Sequence, residues 1–315
     1  MFKSLAKQIS RIFYDRPLPQ PSADEKAFLS ELQSVFRGFP VLETRNALPS
    51  ETAWLGNMNR LRELVLSGNP REFLRWDVIS QTMFVSSADY ISAELKYLKN
   101  RPDWSRRWQG AIKESSAGHP LPCIFFPRSS GNLIHHAYHL ARFEEKTQVK
   151  VQNVDFVFEF GGGYGSMCRL FYNLGFRGRY IIFDLPSYSA LQVYFLKTLG
   201  LPVQPAAELE KSATGIVCVA DIQELQTLLA DPTPAKEKMF LATWSISETP
   251  LGIREAVLPL VSGFRLFLVA YQDKFAEVDN EAFFDAWRKT IAKVAWQRHR
   301  IEHLPGNTYL FGGGV

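Results

Sequence analysis

The residues best suited to chemistry form the run Glu159-Phe160-Gly161-Gly162-Gly163-Tyr164-Gly165, with Asp184 nineteen residues beyond it. Glycines lack a Cβ, so such a run turns sharply and brings its backbone against a ligand. A helix starting just after the turn adds unpaired N–H groups. A carboxylate at the end of the next strand, as Asp184 of IIFDLP with Leu185 beside it, can accept both hydroxyls of a ribose. Gly-rich turn plus ribose acid is the layout of a site for a nucleoside-containing cofactor. A dinucleotide fingerprint reads GxGxxG, its third glycine serving close helix–strand packing. The spacing here is ExGxGxG instead.

Strands and helices must position these residues. VDFVFEF (154–160) is a short β-rich run of the kind that forms a buried parallel strand. Tyr180 to Phe183, Ile216 to Ala220, Met239 to Thr243 and Phe264 to Ala270 read likewise. Helical stretches at Ser187 to Leu199 and Ile222 to Leu229 lie between them, which predicts βαβ units and a parallel sheet. A helix from Glu281 to Ala295 leads into Trp296 to His303, a Pro305-Gly306-Asn307 turn and Thr308 to Phe311, a hairpin closing the sheet edge. Residues 22–150 read as helical. Ser22 caps the first helix, with Asp24 and Glu25 in its first turn and Phe28, Leu29, Leu32 and Phe36 as its stripe. Further helices are expected at Glu51 to Leu66, Arg71 to Leu98 with a break near Ser86, Trp104 to Trp108, and Gly131 to Glu145. The expected organisation is a helical lid and acceptor-binding region over 1–150 and a cofactor-binding core over 151–315.

The ExGxGxG spacing resembles motif I of the class I S-adenosylmethionine-dependent methyltransferases. Ala220-Asp221-Ile222 is similar to that superfamily's adenine pocket, where the Asp takes the exocyclic amine and an apolar neighbour packs on the ring. The alternative for Asp221 is a cap for the helix that starts at Ile222. The blocks EFGGGYGSM, YIIFDLP, LQVYFLKTLG and TWSISETP, with REFLRWDVISQTMF and GNLIHHAYHLARFEE upstream, resemble the sugar O-methyltransferase family of bacterial polysaccharide gene clusters over roughly residues 70 to 315. The resemblance implies an α/β, Rossmann-like seven-stranded class I methyltransferase sheet with an antiparallel last strand, S-adenosylmethionine as cofactor, and a sugar or glycan hydroxyl as acceptor. It carries the cofactor site onto Glu159, Gly161, Gly162, Gly163, Tyr164, Gly165, Asp184, Leu185, Asp221 and Ile222. The open alternatives are an NAD-dependent sugar enzyme and a non-catalytic scaffold that keeps the nucleoside pocket.

Methyl transfer to a hydroxyl needs in-line alignment and a proton acceptor. In doubly wound sheets ligands bind beyond the carboxyl ends of the strands. Glu248 in TWSISETP stands there, as general base or as a ligand for sugar hydroxyls. Its bland reading is a helix N-terminus with Ser245 or Ser247 as cap. Tyr271-Gln272-Asp273 offers another polar group at the mouth. His135, His136 and His139 share one helix, and His136 and His303 are candidate substrate-positioning or proton-accepting groups. The HExxH pattern of a zinc site is absent, so no metal is expected. Trp244 and Tyr164 are placed to stack on an adenine or sugar ring. Arg128 reads as an anion ligand or a surface residue.

Composition narrows the classes. The 315 residues are 46% hydrophobic, with a net charge of +4 and no basic stripe, which disfavours a nucleic-acid partner. Cys123, Cys168 and Cys218 lack CxxC spacing, as expected of a cytoplasmic protein. No run is long enough for a transmembrane helix. Residues 1–16 have amphipathic spacing, with Phe2, Leu5, Ile9, Ile12 and Phe13 opposite Lys3, Lys7 and Arg11. That stretch reads as a helix docked on its own domain or as a peripheral membrane contact. The sequence leaves the oligomeric state open.

Overall fold

A computed structural model describes residues 12, 14–43, 49–85, 89–209, 211–230 and 237–313. The amphipathic stretch 1–16 falls largely outside them.

Among the described residues nine strands form: β1 Phe156–Phe160, β2 Arg179–Phe183, β3 Gly215–Val219, β4 Lys238–Thr243, β5 Leu266–Gln272, β6 Lys274–Phe275, β7 Val278–Asp279, β8 Ala295–Arg300 and β9 Asn307–Gly313. Seven of them make one sheet, in the order β3-β2-β1-β4-β5-β9-β8. The first five are parallel and β9 runs antiparallel to both neighbours. This is the Rossmann-like seven-stranded sheet expected from the sequence. β6 and β7 form a separate two-stranded hairpin that the periodicity does not reveal. Every residue of β1 is buried, because layers cover both sheet faces. Phe156, Phe158 and Phe160 pack with Phe240, Phe267, Phe284 and Trp287 on one face. Val157, Ile182, Leu241 and Leu268 share the other face with Leu32, Leu61, Leu95 and Phe143 of the helices before residue 150.

Those helices form largely where the sequence places them. Ser22 Oγ accepts from Glu25 N at 3.0 Å and opens the helix Ala23–Gly38. The helices Pro49–Ser67 and Gly131–Thr147 follow their expected spans within two residues. The stretch Arg71 to Leu98, expected to be helical with a break near Ser86, is a 3₁₀ turn Pro70–Arg75, a short helix Asp77–Ser80 and a helix Asp89–Lys99, and the expected break point itself lies outside the described residues. A break that the sequence does not reveal comes at Trp76, whose extended backbone (φ −65°, ψ 146°) ends the 3₁₀ turn. Leu74 N there bonds Gly118 O at 3.0 Å, a contact distant in sequence. The helix expected to reach Ala295 stops at Arg288, because Lys293 turns the chain with a φ of +62° and Ala295 pairs with Gly313 in the sheet.

Candidate active site

The Gly-rich loop leaves β1 at the point where the sheet order reverses, between β2 and β4. Three tethers fix it. Gly161 N donates to Phe183 O at 2.8 Å, continuing the ladder onto β2. Ser245 Oγ, just beyond β4, donates to Phe160 O. Gly163 N donates to Asp184 Oδ2 at 2.9 Å. Gly161 has a φ of +69°, and a Cβ there would lie 2.3 Å from Ser245 Cβ, so no side chain fits. Gly162 lies directly over the sheet, where a Cβ would stand 2.5 Å from Ile182 Cγ2 and 3.1 Å from Glu159 Oε2. Gly165, with a φ of +91°, leads into the helix Ser166–Asn173.

Two carboxylates flank this turn. Glu159 is buried beneath it and accepts from the Tyr180 hydroxyl at 2.8 Å. Burial, reinforced by the charge of Asp184, pushes its carboxyl up to about 8 despite the Tyr180 bond. Asp184 accepts from Gly163 N, from Gln192 Nε2 at 3.0 Å and from Leu185 N at 2.8 Å. Burial still lifts it to about 7 against those bonds. Leu185, partly exposed, precedes the helix Pro186–Thr198. Asp221 is exposed at the end of β3, and its Oδ1 accepts from Gln223 N and Glu224 N at 2.9 Å each. It therefore caps the helix Ile222–Ala230, and Ile222 packs at the margin of the core that holds Phe158 and Phe240. Tyr164 corrects an expectation. Its ring is buried among Phe73, Phe84 and Phe195, and its hydroxyl accepts from Asn132 Nδ2 at 2.8 Å. That ring is not free to stack on a ligand.

Beyond β4, Trp244 adopts φ +64°, ψ −33°, a conformation rare for a bulky residue and held here by its surroundings. Its indole N–H donates to Asn307 Oδ1 at 2.6 Å. Its ring lies nearly parallel to His135, with centroids 5.8 Å apart, so that face is covered by protein. The next turn, Ser245–Glu248, is 3₁₀. Neither serine caps the following helix, since Ser245 bonds Phe160 O and Ser247 Oγ bonds Trp244 O at 2.6 Å. Glu248 accepts from Gln272 Nε2 at 3.3 Å, and burial raises its carboxyl. Asn307 and Gln272 are register partners on β9 and β5, so Trp244, Asn307, Gln272 and Glu248 line one continuous rim. Arg128 is exposed, away from these contacts.

Arg254 holds the turn from beneath. Fully buried, it donates to Thr249 O at 3.0 Å, Ser247 O at 2.7 Å and Asn280 Oδ1 at 2.7 Å. Its guanidinium also stacks over Phe283. Arg254→Ala removes three hydrogen bonds and leaves Thr249 O and Asn280 Oδ1 without this donor, while Ser247 O keeps Asn280 Nδ2 at 3.3 Å, an expected cost of about 3 kcal/mol. Thermal denaturation of the variant checks this, and an unchanged midpoint would show the turn needs no clamp.

The helix Gly131–Thr147 brings three imidazoles to the same edge. His135 Nδ1 lies 2.8 Å from Glu94 Oε1, and His303 Nε2 lies 2.7 Å from the same oxygen. His139 Nδ1 bonds the Tyr309 hydroxyl, and burial with neighbouring imidazoles holds His139 well below its usual range. His136 is pulled down to about 3 by burial and by His135, so it is neutral at working pH, and its Nδ1 has no hydrogen-bond partner. Among the described residues no cluster of three or more His, Cys, Asp or Glu is arranged to hold a metal. Glu94 escapes the sequence reading. Its signal is a carboxylate on the apolar stripe Ile91, Leu95, Leu98 of its helix, all buried.

No family model matches the chain, and no curated protein is similar to it. Solved structures of low identity align with it. The methyltransferase domain of bacterial-CtHen1-C shares 11% identity over 58% of this chain and 99% of that one, with a TM-score of 0.40. The pyocyanin biosynthetic protein PhzM shares 15% over 84% of this chain and 70% of that one, at 0.34. Precorrin-6y C5,15-methyltransferase from Geobacter metallireducens GS-15 shares 14% over 58% and 87%, at 0.35.

Proposed function

We propose that the chain is an S-adenosylmethionine-dependent O-methyltransferase that methylates a hydroxyl of a sugar or glycan in bacterial polysaccharide biosynthesis, in the cytoplasm. The observation that carries the cofactor is the pair Glu159 and Asp184, two carboxylates lifted by burial to about 8 and about 7 beside a turn of positive-φ glycines. Such a pair favours a cationic ligand that also brings hydroxyl donors. The glycines stand in ExGxGxG spacing and lack the third glycine that a GxGxxG dinucleotide turn needs for close helix–strand packing. This opposes the NAD reading. Asp184 holds the ribose, Glu159 biases the site toward the ammonium group, and Asp221 with Ile222 borders the adenine. When bound, S-adenosylmethionine supplies an electrophilic methyl group.

Residues 1–150 serve as lid and acceptor wall and residues 151–315 as the cofactor core. The rim of Trp244, Asn307, Gln272 and Glu248 takes the acceptor. Glu248, half-buried and bonded to Gln272, holds an acceptor hydroxyl. His136, neutral and unpartnered at Nδ1, positions the substrate. Transfer of labelled methyl groups to a panel of free and nucleotide-linked sugars tests the reading. The expected result is methylation of a sugar hydroxyl. Oxidation of a panel sugar with NAD, and no methylation, would overturn it. Glu248→Gln is expected to raise the acceptor KM about tenfold or more, the worth of a charge-assisted hydrogen bond. Loss of kcat at unchanged KM would instead make Glu248 the base.

A further inference from the structure

Glu94 is fully buried, and a carboxylate is seldom buried without a purpose or a partner. Here one oxygen, Oε1, meets two imidazoles from different parts of the chain, His135 of the helix Gly131–Thr147 and His303 of the β8–β9 turn. The other oxygen has no hydrogen-bond partner among the described residues. A carboxylate oxygen only accepts, so each imidazole nitrogen facing it must carry the proton. His135 is thereby fixed as the Nδ1–H tautomer, with Nε2 as its basic nitrogen. His303 is fixed the opposite way, with Nε2–H on Glu94 and Nδ1 basic. Tyr90 lies against both rings, with centroids 5.4 Å from His135 and 5.5 Å from His303, and holds them in place.

The two imidazoles are not equivalent. His135 stacks on Trp244, the residue that follows β4, and the adjacent Ser245 is tied to Phe160 at the start of the Gly-rich loop. His135 is therefore the imidazole on the cofactor side. His303 sits on the outer side, between Tyr90 and Tyr138, with more of its side chain exposed.

Resting on the methyltransferase reading, we infer that His135 is the catalytic base and that Glu94 is its positioning residue. As the acceptor oxygen is methylated, its proton passes to His135 Nε2. The electron pair of the broken S–CH₃ bond stays on sulfur, leaving a neutral thioether. The imidazolium so formed is balanced by the Glu94 carboxylate until its proton returns to water. A carboxylate that sets the tautomer and supports the charged ring is what a general-base imidazole requires. His303 completes the anchor, so that Glu94 is held from both sides.

Nuclear magnetic resonance of the full chain with nitrogen-labelled histidine, in mildly alkaline buffer, tests this without an acceptor. The expected spectrum shows His135 as the Nδ1–H tautomer and His303 as the Nε2–H tautomer. Glu94→Ala should release both from their fixed tautomers, with S-adenosylmethionine affinity unchanged. In the unmutated chain, S-adenosylmethionine, which carries the sulfonium charge, should shift the His135 ring nitrogens, and S-adenosylhomocysteine, which lacks it, should shift them less. His135 in the Nε2–H form, or equal shifts with both ligands, would overturn the assignment. If Glu94→Ala does not fold, the tautomers and the ligand comparison in the unmutated chain decide the matter. Absence of binding by either ligand would refute the methyltransferase reading itself, a distinct result.

Discussion

Gly163→Val is expected to weaken S-adenosylmethionine binding at least a hundredfold, by roughly 3 kcal/mol, while the chain stays folded. Gly163 has a φ of +59°, and a β-branched residue is a pronounced outlier there. The nearest atom to a new Cβ is Met83 Sδ at 3.3 Å, the far part of a flexible side chain, so crowding is modest. The backbone itself must change. That change breaks the bond from Gly163 N to Asp184 and the one from Gln192 Nε2 to Gly163 O, each 2.9 Å, which together fix the loop against the ribose acid. Titration calorimetry with circular dichroism separates the two effects. Normal affinity in a folded variant would show that this turn is not the cofactor loop.

Asp184→Asn is expected to cost about as much affinity and to remove a pH dependence. Burial moves the Asp184 carboxyl from an ordinary 3.8 to about 7. With the folded value raised, its favourable contribution to the empty protein is complete below 3.8 and is lost as pH climbs through about 7. A ligand whose ribose hydroxyls donate to this group binds the ionised form. Affinity should therefore rise with pH through about 7, and the rise should continue toward about 8 as Glu159 ionises beneath the loop. In Asp184→Asn the first part of that rise should vanish. A wild-type affinity flat across neutral pH would separate both carboxylates from ligand binding.

The sheet was legible because each parallel strand is an apolar β-rich run ending in a residue with a role, Phe160 before the glycines, Phe183 before Asp184 and Thr243 before Trp244. The Ser22 cap was legible for the same local reason, a hydroxyl followed by acids and an apolar stripe. The start of the stretch Arg71 to Leu98 was not, because its 3₁₀ turn is tied at Leu74 to Gly118, a contact that no window of sequence contains. Its place within the Gly-rich turn suggested that Tyr164 faced a ligand, yet packing with Phe73 and Phe195 turned it inward. Glu94 is the plainest case. Its partners lie 41 and 209 residues away, so only its position on an apolar stripe hinted at a function.

Calorimetric titration of the chain with S-adenosylmethionine, repeated near neutral pH in two buffers of different ionisation enthalpy, tests the cofactor assignment most directly. The ionised forms of Glu159 and Asp184 are the ones that should bind. Binding is therefore predicted to release protons, with an apparent enthalpy that differs between the buffers. No heat from S-adenosylmethionine or S-adenosylhomocysteine at millimolar concentration, with NAD giving a clear isotherm, would contradict it.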